Sequence, residues 1–239
     1  MANRVFVTGD THGLIDTYKI LKFTEHTQLD YDDYIIICGD CGVVWSKDTV
    51  KEMIDYYEHL GPTILFVDGN HENFDLLKKY KTTTWNGGKV HKISEHIFHL
   101  MRGQVFEILG NKFVTMGGAS STDKEIRTEH KSWWKDEEIS LEDLVEAIDN
   151  LQKCGNRVDY VISHTQSKST IDELVDVLTA CGESVPNFLQ KKLQIVNSHI
   201  ILEELRQKIT YKQWFSGHLH INENLKDHTI LYDEILQLI

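Results

Sequence analysis

VFVTGDTHG, residues 5–13, decides how the rest of the chain is read. A short apolar run ends in Gly9, Asp10, Thr11, His12 and Gly13, so a carboxylate and an imidazole stand two residues apart where a strand opens into a loop. The same form recurs in YIIICGD (34–40), TILFVDGNHE (63–72), VDYVISH (158–164) and WFSGHLH (214–220). Each run is short and rich in β-branched or aromatic residues, which favours buried strands over helices.

Helical patterns lie between these runs: 16–26, 47–60, 140–154, 169–182 and a long stretch over 186–209. Ser140 with Asp143 and, further on, Gly182 are helix boundary signals. Residues 89–93, 96–108 and 111–118 read as consecutive strands with no helix between them, and a last strand is expected within 228–238. This alternation predicts an α/β fold in which helices cover two packed sheets. With no proline-rich linker, repeat or low-complexity segment, residues 1–239 read as a single domain, with 165–212 a candidate helical cap.

The composition narrows the function. A chain of 239 residues, 41% hydrophobic, can bury a sizeable core. Its formal net charge of −12 and pI of about 5.5 argue against bulk binding to a nucleic-acid backbone. No apolar stretch is long enough to cross a bilayer, and the first ten residues lack the apolar core of a secretory signal, so a cytoplasmic location with no membrane partner is expected. The four cysteines, Cys38, Cys41, Cys154 and Cys181, are too few for a disulfide scaffold. Cys38 and Cys41 form a C-x-x-C, for which a strand end and its loop are the simpler account than a redox or zinc site.

In open α/β sheets functional groups gather beyond the carboxyl ends of the strands. Five such ends carry Asp10 and His12, Asp40, Asn70 and His71, His164, and His218 and His220, all metal-ligating or acid–base types. Aspartates, an asparagine oxygen and several imidazoles suit Mn, Fe, Co, Ni or Zn better than Ca or Mg. The spacing of His218 and His220 would put both rings on one side of an extended segment.

The ordered set GDTHG, GDCG, GNHE, SH and GHLH, spanning residues 5 to about 220, resembles the calcineurin-like metallophosphoesterases, in a bacterial or phage branch. The resemblance implies a four-layer αββα sandwich of two mixed β-sheets flanked by helices, and two divalent transition-metal ions, manganese foremost. By motif position Asp10, His12 and His220 would hold one ion, Asn70, His164 and His218 the other, and Asp40 would bridge them. His71 would be the acid that protonates the leaving alkoxide. A water shared by the ions would act as hydroxide on phosphorus near neutral pH.

The chain departs from the protein phosphatases of this superfamily, which carry an Asp-Arg pair where GDCGVVW has Val43 and Val44. A small phosphodiester or nucleotide-type substrate is therefore expected, with a protein phosphatase or a catalytically silent binding module as alternatives. A dinuclear hydrolase of amides or lactones would need a different motif set, and a thiol redox protein would use Cys38 and Cys41. Arg127 and the pair Trp133 and Trp134 could replace the missing cation at the mouth of the site, but a solvated role for Arg127 and packing roles for the tryptophans are the simpler expectations. His26, His59, His91, His96, His99, His130, His199 and His228 lie outside the strand-end pattern and are read as ordinary. The acidic run 136–149 reads as the solvated face of a helix.

Overall fold

A computed structural model describes residues 3–180, 182 and 184–239, so Cys181 lies outside the described residues. In chain order the elements are β1 (Val5–Thr8), α1 (Tyr18–Thr27), β2 (Tyr34–Ile37), α2 (Val50–Glu58), β3 (Thr63–Phe66), α3 (Phe74–Leu77), β4 (Thr82–Trp85), β5 (Gly88–Lys92), β6 (Ile97–Leu100), β7 (Gln104–Ile108) and β8 (Asn111–Met116). After two short 3-10 turns follow α4 (Leu141–Gln152), β9 (Tyr160–Ser163), α5 (Lys168–Thr179), α6 (Asn187–Gln190), α7 (Asn197–Arg206), β10 (Gln213–Ser216), β11 (Glu223–Asn224), β12 (His228–Ile230) and β13 (Ile235–Gln237).

The strands form a seven-stranded sheet, β13-β1-β2-β3-β6-β5-β4, and a six-stranded sheet, β11-β12-β10-β9-β8-β7. Each has a parallel centre, β1-β2-β3-β6 in one and β12-β10-β9-β8 in the other, with antiparallel strands at both edges. Both sheets are mixed, as expected. Side-chain alternation sets the layers. Val5, Val7, Ile36 and Leu65 point between the sheets with Phe106, Phe113 and Ile162, while Phe6, Ile35, Ile37, Ile64 and Phe66 face Ile20 of α1 and Met53 and Tyr57 of α2. On the other side Val114, Met116, Val161 and Trp214 pack under α4 and α7. Strands buried on both faces must be apolar throughout, which is why these runs show no polar alternation.

Three expectations about elements are corrected. Residues 96–108 are two strands, β6 and β7, in different sheets. The chain crosses at Met101–Gly103, where Gly103 takes φ +68 and a Cβ would sit 2.8 Å from Ala147 N. Residues 228–238 likewise hold β12 of one sheet and β13 of the other. Residues 186–209 are α6 and α7 rather than one helix, because Val196 is extended (φ −123°, ψ 173°) and its N–H donates to the Nδ1 of His199, starting α7 afresh. Ser140 and Asp143 form the expected capping box of α4. Within the acidic run, Glu137 is buried rather than solvated.

Candidate metal centre

The loops after β1, β2, β3, β9 and β10 meet at one edge of the two parallel centres, and all eight residues singled out by their strand-end position lie there. Thr11 N–H and His12 N–H donate to the Asp40 carbonyl (3.2 and 2.8 Å), and Gly13 N–H donates to that of Cys41 (3.0 Å), binding the first two loops together. The turns are tight. His12, Asp40, His218 and His220 all take positive φ, each at a cost on the order of 1 kcal/mol for a residue with a Cβ. The segment carrying His218 and His220 is therefore not extended, and the expectation that their rings share one side is corrected. The ring of His218 packs on that of His164 (4.9 Å between centroids), whereas that of His220 packs on His12 (5.0 Å) and stacks on Tyr232 (4.7 Å). Two glycines are needed for closeness: a Cβ on Gly39 would lie 2.1 Å from His164 Nδ1, and one on Gly217 would lie 2.1 Å from Asp10 Oδ1.

Asp10 is buried against His220 (Nε2 to Oδ2, 3.0 Å), His12 (Nε2 to Oδ2, 4.0 Å) and His164 (Nδ1 to Oδ1, 3.8 Å). Asp40 faces two sides at once, with Oδ2 3.3 Å from His12 Nε2 and Oδ1 3.5 Å from His164 Nε2. Asp10, His12 and His220 form one group of candidate ligand atoms lying within 4.8 Å of one another, and Asp10, Asp40 and His164 form a second. Asn70 joins the second, its Oδ1 3.1 Å from His164 Nε2. His218 enters neither group; its backbone N–H donates to Asp10 Oδ1 (2.9 Å).

These groups fit divalent ions on the chemistry of their donors. His12 Nδ1 is 2.7 Å from Asp16 Oδ2, and His164 Nδ1 is 2.7 Å from the Cys38 carbonyl, so each Nδ1 donates to a fixed oxygen. Each neutral ring then turns the lone pair of Nε2 toward the oxygens of Asp40, an unfavourable contact unless a positive charge lies between them. This is the arrangement by which outer carboxylates and carbonyls orient imidazole ligands. Asp10 Oδ2 is also buried without a hydrogen-bond partner, since His220 is near it but not in bonding geometry. With no ion in place, a second proton on each ring supplies that positive charge. Burial opposes charge on His12 and His164, yet Asp40 and Asp10 raise both to about 9. Burial likewise works against ionised Asp10 and Asp40, but the facing histidines hold both carboxyls below the usual range. Burial, then the charges of His164 and Lys192, hold His218 well below the ordinary histidine value.

His71 N–H donates to Asp40 Oδ1 (2.7 Å), and its ring lies 5.9 Å from that of His12. Arg127 corrects the sequence expectation: it is not a solvated surface residue. Its Nη1 lies 3.0 Å from His71 Nδ1 and also donates to the Ser132 carbonyl (3.0 Å), while Nε donates to Asp123 (2.7 Å). A guanidinium only donates, so His71 Nδ1 accepts and the proton of the neutral ring is assigned to Nε2. Burial lowers the His71 pKa, as do Arg127, His12 and His164, against the opposing pull of Asp40.

Several supporting residues escape sequence reading. Asn70 Nδ2 donates to Ser121 Oγ (3.1 Å), and Ser121 donates through N–H and Oγ to the buried Glu137 (2.7 Å each). Lys19 donates to the carbonyls of Asp10 (2.7 Å) and Tyr232, and Lys192 to that of His218. Glu72 accepts from Cys41 N–H (2.8 Å) and, buried beside Asp40, is pushed well above the usual carboxyl range. Only the i, i+4 spacing of His12 and Asp16, and the place of Glu72 directly after Asn70 and His71, could have signalled a role.

The histidines read as ordinary divide. His91, His99, His199 and His228 are buried and hydrogen-bonded, His99 to Asp68 (3.1 Å) and His228 to Ser216 (2.7 Å), whereas His130 is exposed. Trp134 packs as expected, buried edge-on to Trp45 with its N–H on Asp75. Cys38 and Cys41 are buried and unpaired, and burial pushes both thiols up, so thiolate chemistry is disfavoured.

A family model described as Calcineurin-like phosphoesterase matches residues 3–222. Among solved structures the chain is similar to SoxB, a sulfate thiohydrolase of Termus thermophilus in complex with glycerol, at 11% identity and a TM-score of 0.46 over 98% of this chain and 52% of that one. The chain thus spans about half the length of that protein. No curated protein matches it. Among the described residues no helix is long and apolar enough to cross a membrane.

Proposed function

This chain belongs to the calcineurin-like phosphoesterase family, and we propose that it is a dinuclear-metal-dependent hydrolase of small phosphodiesters, with manganese the preferred ion. The observation that carries the reading is the pair His12 and His164, each with Nδ1 committed to a fixed oxygen and Nε2 turned toward one oxygen of Asp40. In this reading Asp10, His12 and His220 would hold one ion, Asn70, His164 and His218 would hold the other, and Asp40 would serve both. Two divalent ions, when bound there, would supply the charge that activates water near neutral pH and offsets charge on the phosphoryl oxygens.

The chain's own residues do the rest. Asp16 and the Cys38 carbonyl orient the two imidazoles, and Ser121 orients the Asn70 amide. His71, its Nδ1 occupied by Arg127, keeps a proton on Nε2 for the leaving alkoxide. Arginine supply argues for a diester. Val43 and Val44 are buried in the core, and Arg102 is committed to Asp68, Asp143 and the carbonyls of residues 136–138. Arg127, which is shared with Asp123, is the guanidinium beside His71. A dianionic monoester gains more from arginine clamps than a monoanionic diester does.

We read the chain as one domain. Residues 165–212 supply α5 and α7 to the outer layer, and Lys192 reaches the His218 carbonyl, which supports this stretch as a wall of the site. Unpaired buried thiols support a cytoplasmic location.

The test is hydrolysis by chelated and Mn-reloaded protein of an aryl phosphodiester, the matching monoester and a phosphopeptide at fixed ionic strength. Chelation abolishes turnover, Mn restores it, and the diester has the highest kcat/KM. Preferred turnover of the phosphopeptide would instead assign a protein phosphatase.

A further inference from the structure

Beside the metal centre lies an open cavity of about 460 Å³, within the range of small-ligand sites. His12, His71 and Arg127 are among the residues that line it. Leu14 and Ile15, which directly follow the motif GDTHG, stand 55% and 79% exposed at its wall, although large aliphatic side chains beside a polar centre gain nothing from water. Trp45 and Met53 supply further apolar surface, and the backbone of Gly13 and Gly42 lines the cavity without side chains. Thr49 and Glu52, both exposed, add a hydroxyl and a carboxylate from the start of α2.

We infer that this cavity is a subsite for a nucleoside group carried by the phosphoester, an inference that rests on the metal-hydrolase reading above. A nucleobase is planar and apolar on its faces but carries donors and acceptors on its edge. Leu14, Ile15 and Trp45 fit the faces, and Thr49 and Glu52 fit the edge. The carboxylate of Glu52 disfavours further phosphates, so the ligand class is a nucleoside ester with a single phosphate rather than a di- or triphosphate. An aliphatic chain would use the apolar wall and leave both polar groups without a role.

The experiment measures binding of three phosphodiesters, the methyl ester of adenosine 5′-monophosphate, dimethyl phosphate and methyl octyl phosphate, to the full chain, by calorimetry, with and without Mn. The inference expects Mn-dependent binding of all three, with the nucleotide ester about tenfold or more tighter than dimethyl phosphate, the scale for covering some 60 Å² of apolar surface. It also expects Leu14→Ser combined with Ile15→Ser to shrink that ratio to about twofold. Both side chains are exposed, so the double variant tests the subsite without opening the core. Equal affinity for the nucleotide ester and dimethyl phosphate, tighter binding of methyl octyl phosphate than of the nucleotide ester, or an unchanged ratio in the double variant overturns the subsite while leaving the metal reading intact. No Mn-dependent binding of any of the three overturns the metal reading, and the subsite with it.

Discussion

Ser121→Ala removes the hydroxyl that holds the Asn70 amide, and its effect on metal binding can be worked from the contacts. Ser121 Oγ accepts from Asn70 Nδ2 at 3.1 Å and donates to Glu137 Oε2 at 2.7 Å, which turns Asn70 Oδ1 toward His164 Nε2. All three side chains are buried, so water does not readily replace the lost hydroxyl. Leaving Nδ2 unsatisfied costs about 1–3 kcal/mol, and the loss at Glu137 adds about 1 kcal/mol. Free of its anchor, the amide can turn its nitrogen toward the ion side, where it cannot ligate. Loss of an outer partner of this kind weakens metal affinity roughly 10- to 100-fold. The variant should therefore bind one Mn as the parent does and the second that much more weakly, with folding stability lowered by about 2–4 kcal/mol. Isothermal titration with Mn, alongside urea denaturation of the chelated protein, reads the two effects separately. Two Mn sites of unchanged affinity would refute the assignment of Asn70 and the relay behind it.

His71→Ala should retain both metals yet slow turnover by roughly 10²-fold or more for alkyl leaving groups, with a smaller loss for nitrophenyl esters, which need little protonation; equal losses on both would remove His71 from the acid role. Stability of the chelated protein should fall as pH drops from about 6.5. Burial lowers His199 to about 4 and, with the charge of Arg206, His228 to about 3. Between those values and 6.5 the unfolded chain binds protons that the folded one does not, so each histidine costs up to about 1.4 kcal/mol per pH unit on acidification. Urea midpoints at pH 7, 6 and 5 check this, and a flat profile contradicts the burial argument.

The gathering of Asp10, His12, Asp40, Asn70, His71, His164, His218 and His220 was legible because each closes a buried parallel strand, and parallel centres bring those ends to one edge. What hydrophobic patterning does not carry is which sheet a strand joins. Residues 96–108 look continuous, yet the turn at Gly103 sends β6 and β7 into different sheets. Local spacing also misjudged His218 and His220, since left-handed backbone at both residues parts the rings. Arg127, Ser121 and Glu137 were out of reach for another reason. Their partners lie 56, 51 and 16 residues away along an irregular stretch, where no periodicity reports tertiary contact.

The most direct measurement is the metal content of Asp40→Ala beside the parent, by elemental analysis after Mn loading, with diester turnover on the same samples. Asp40 presents one oxygen to His12 and the other to His164, so it serves both sides of the centre. The parent should carry two ions per chain, and the variant should lose bound metal and turnover together. A variant that keeps two ions, or a parent that turns over without any, contradicts the dinuclear account.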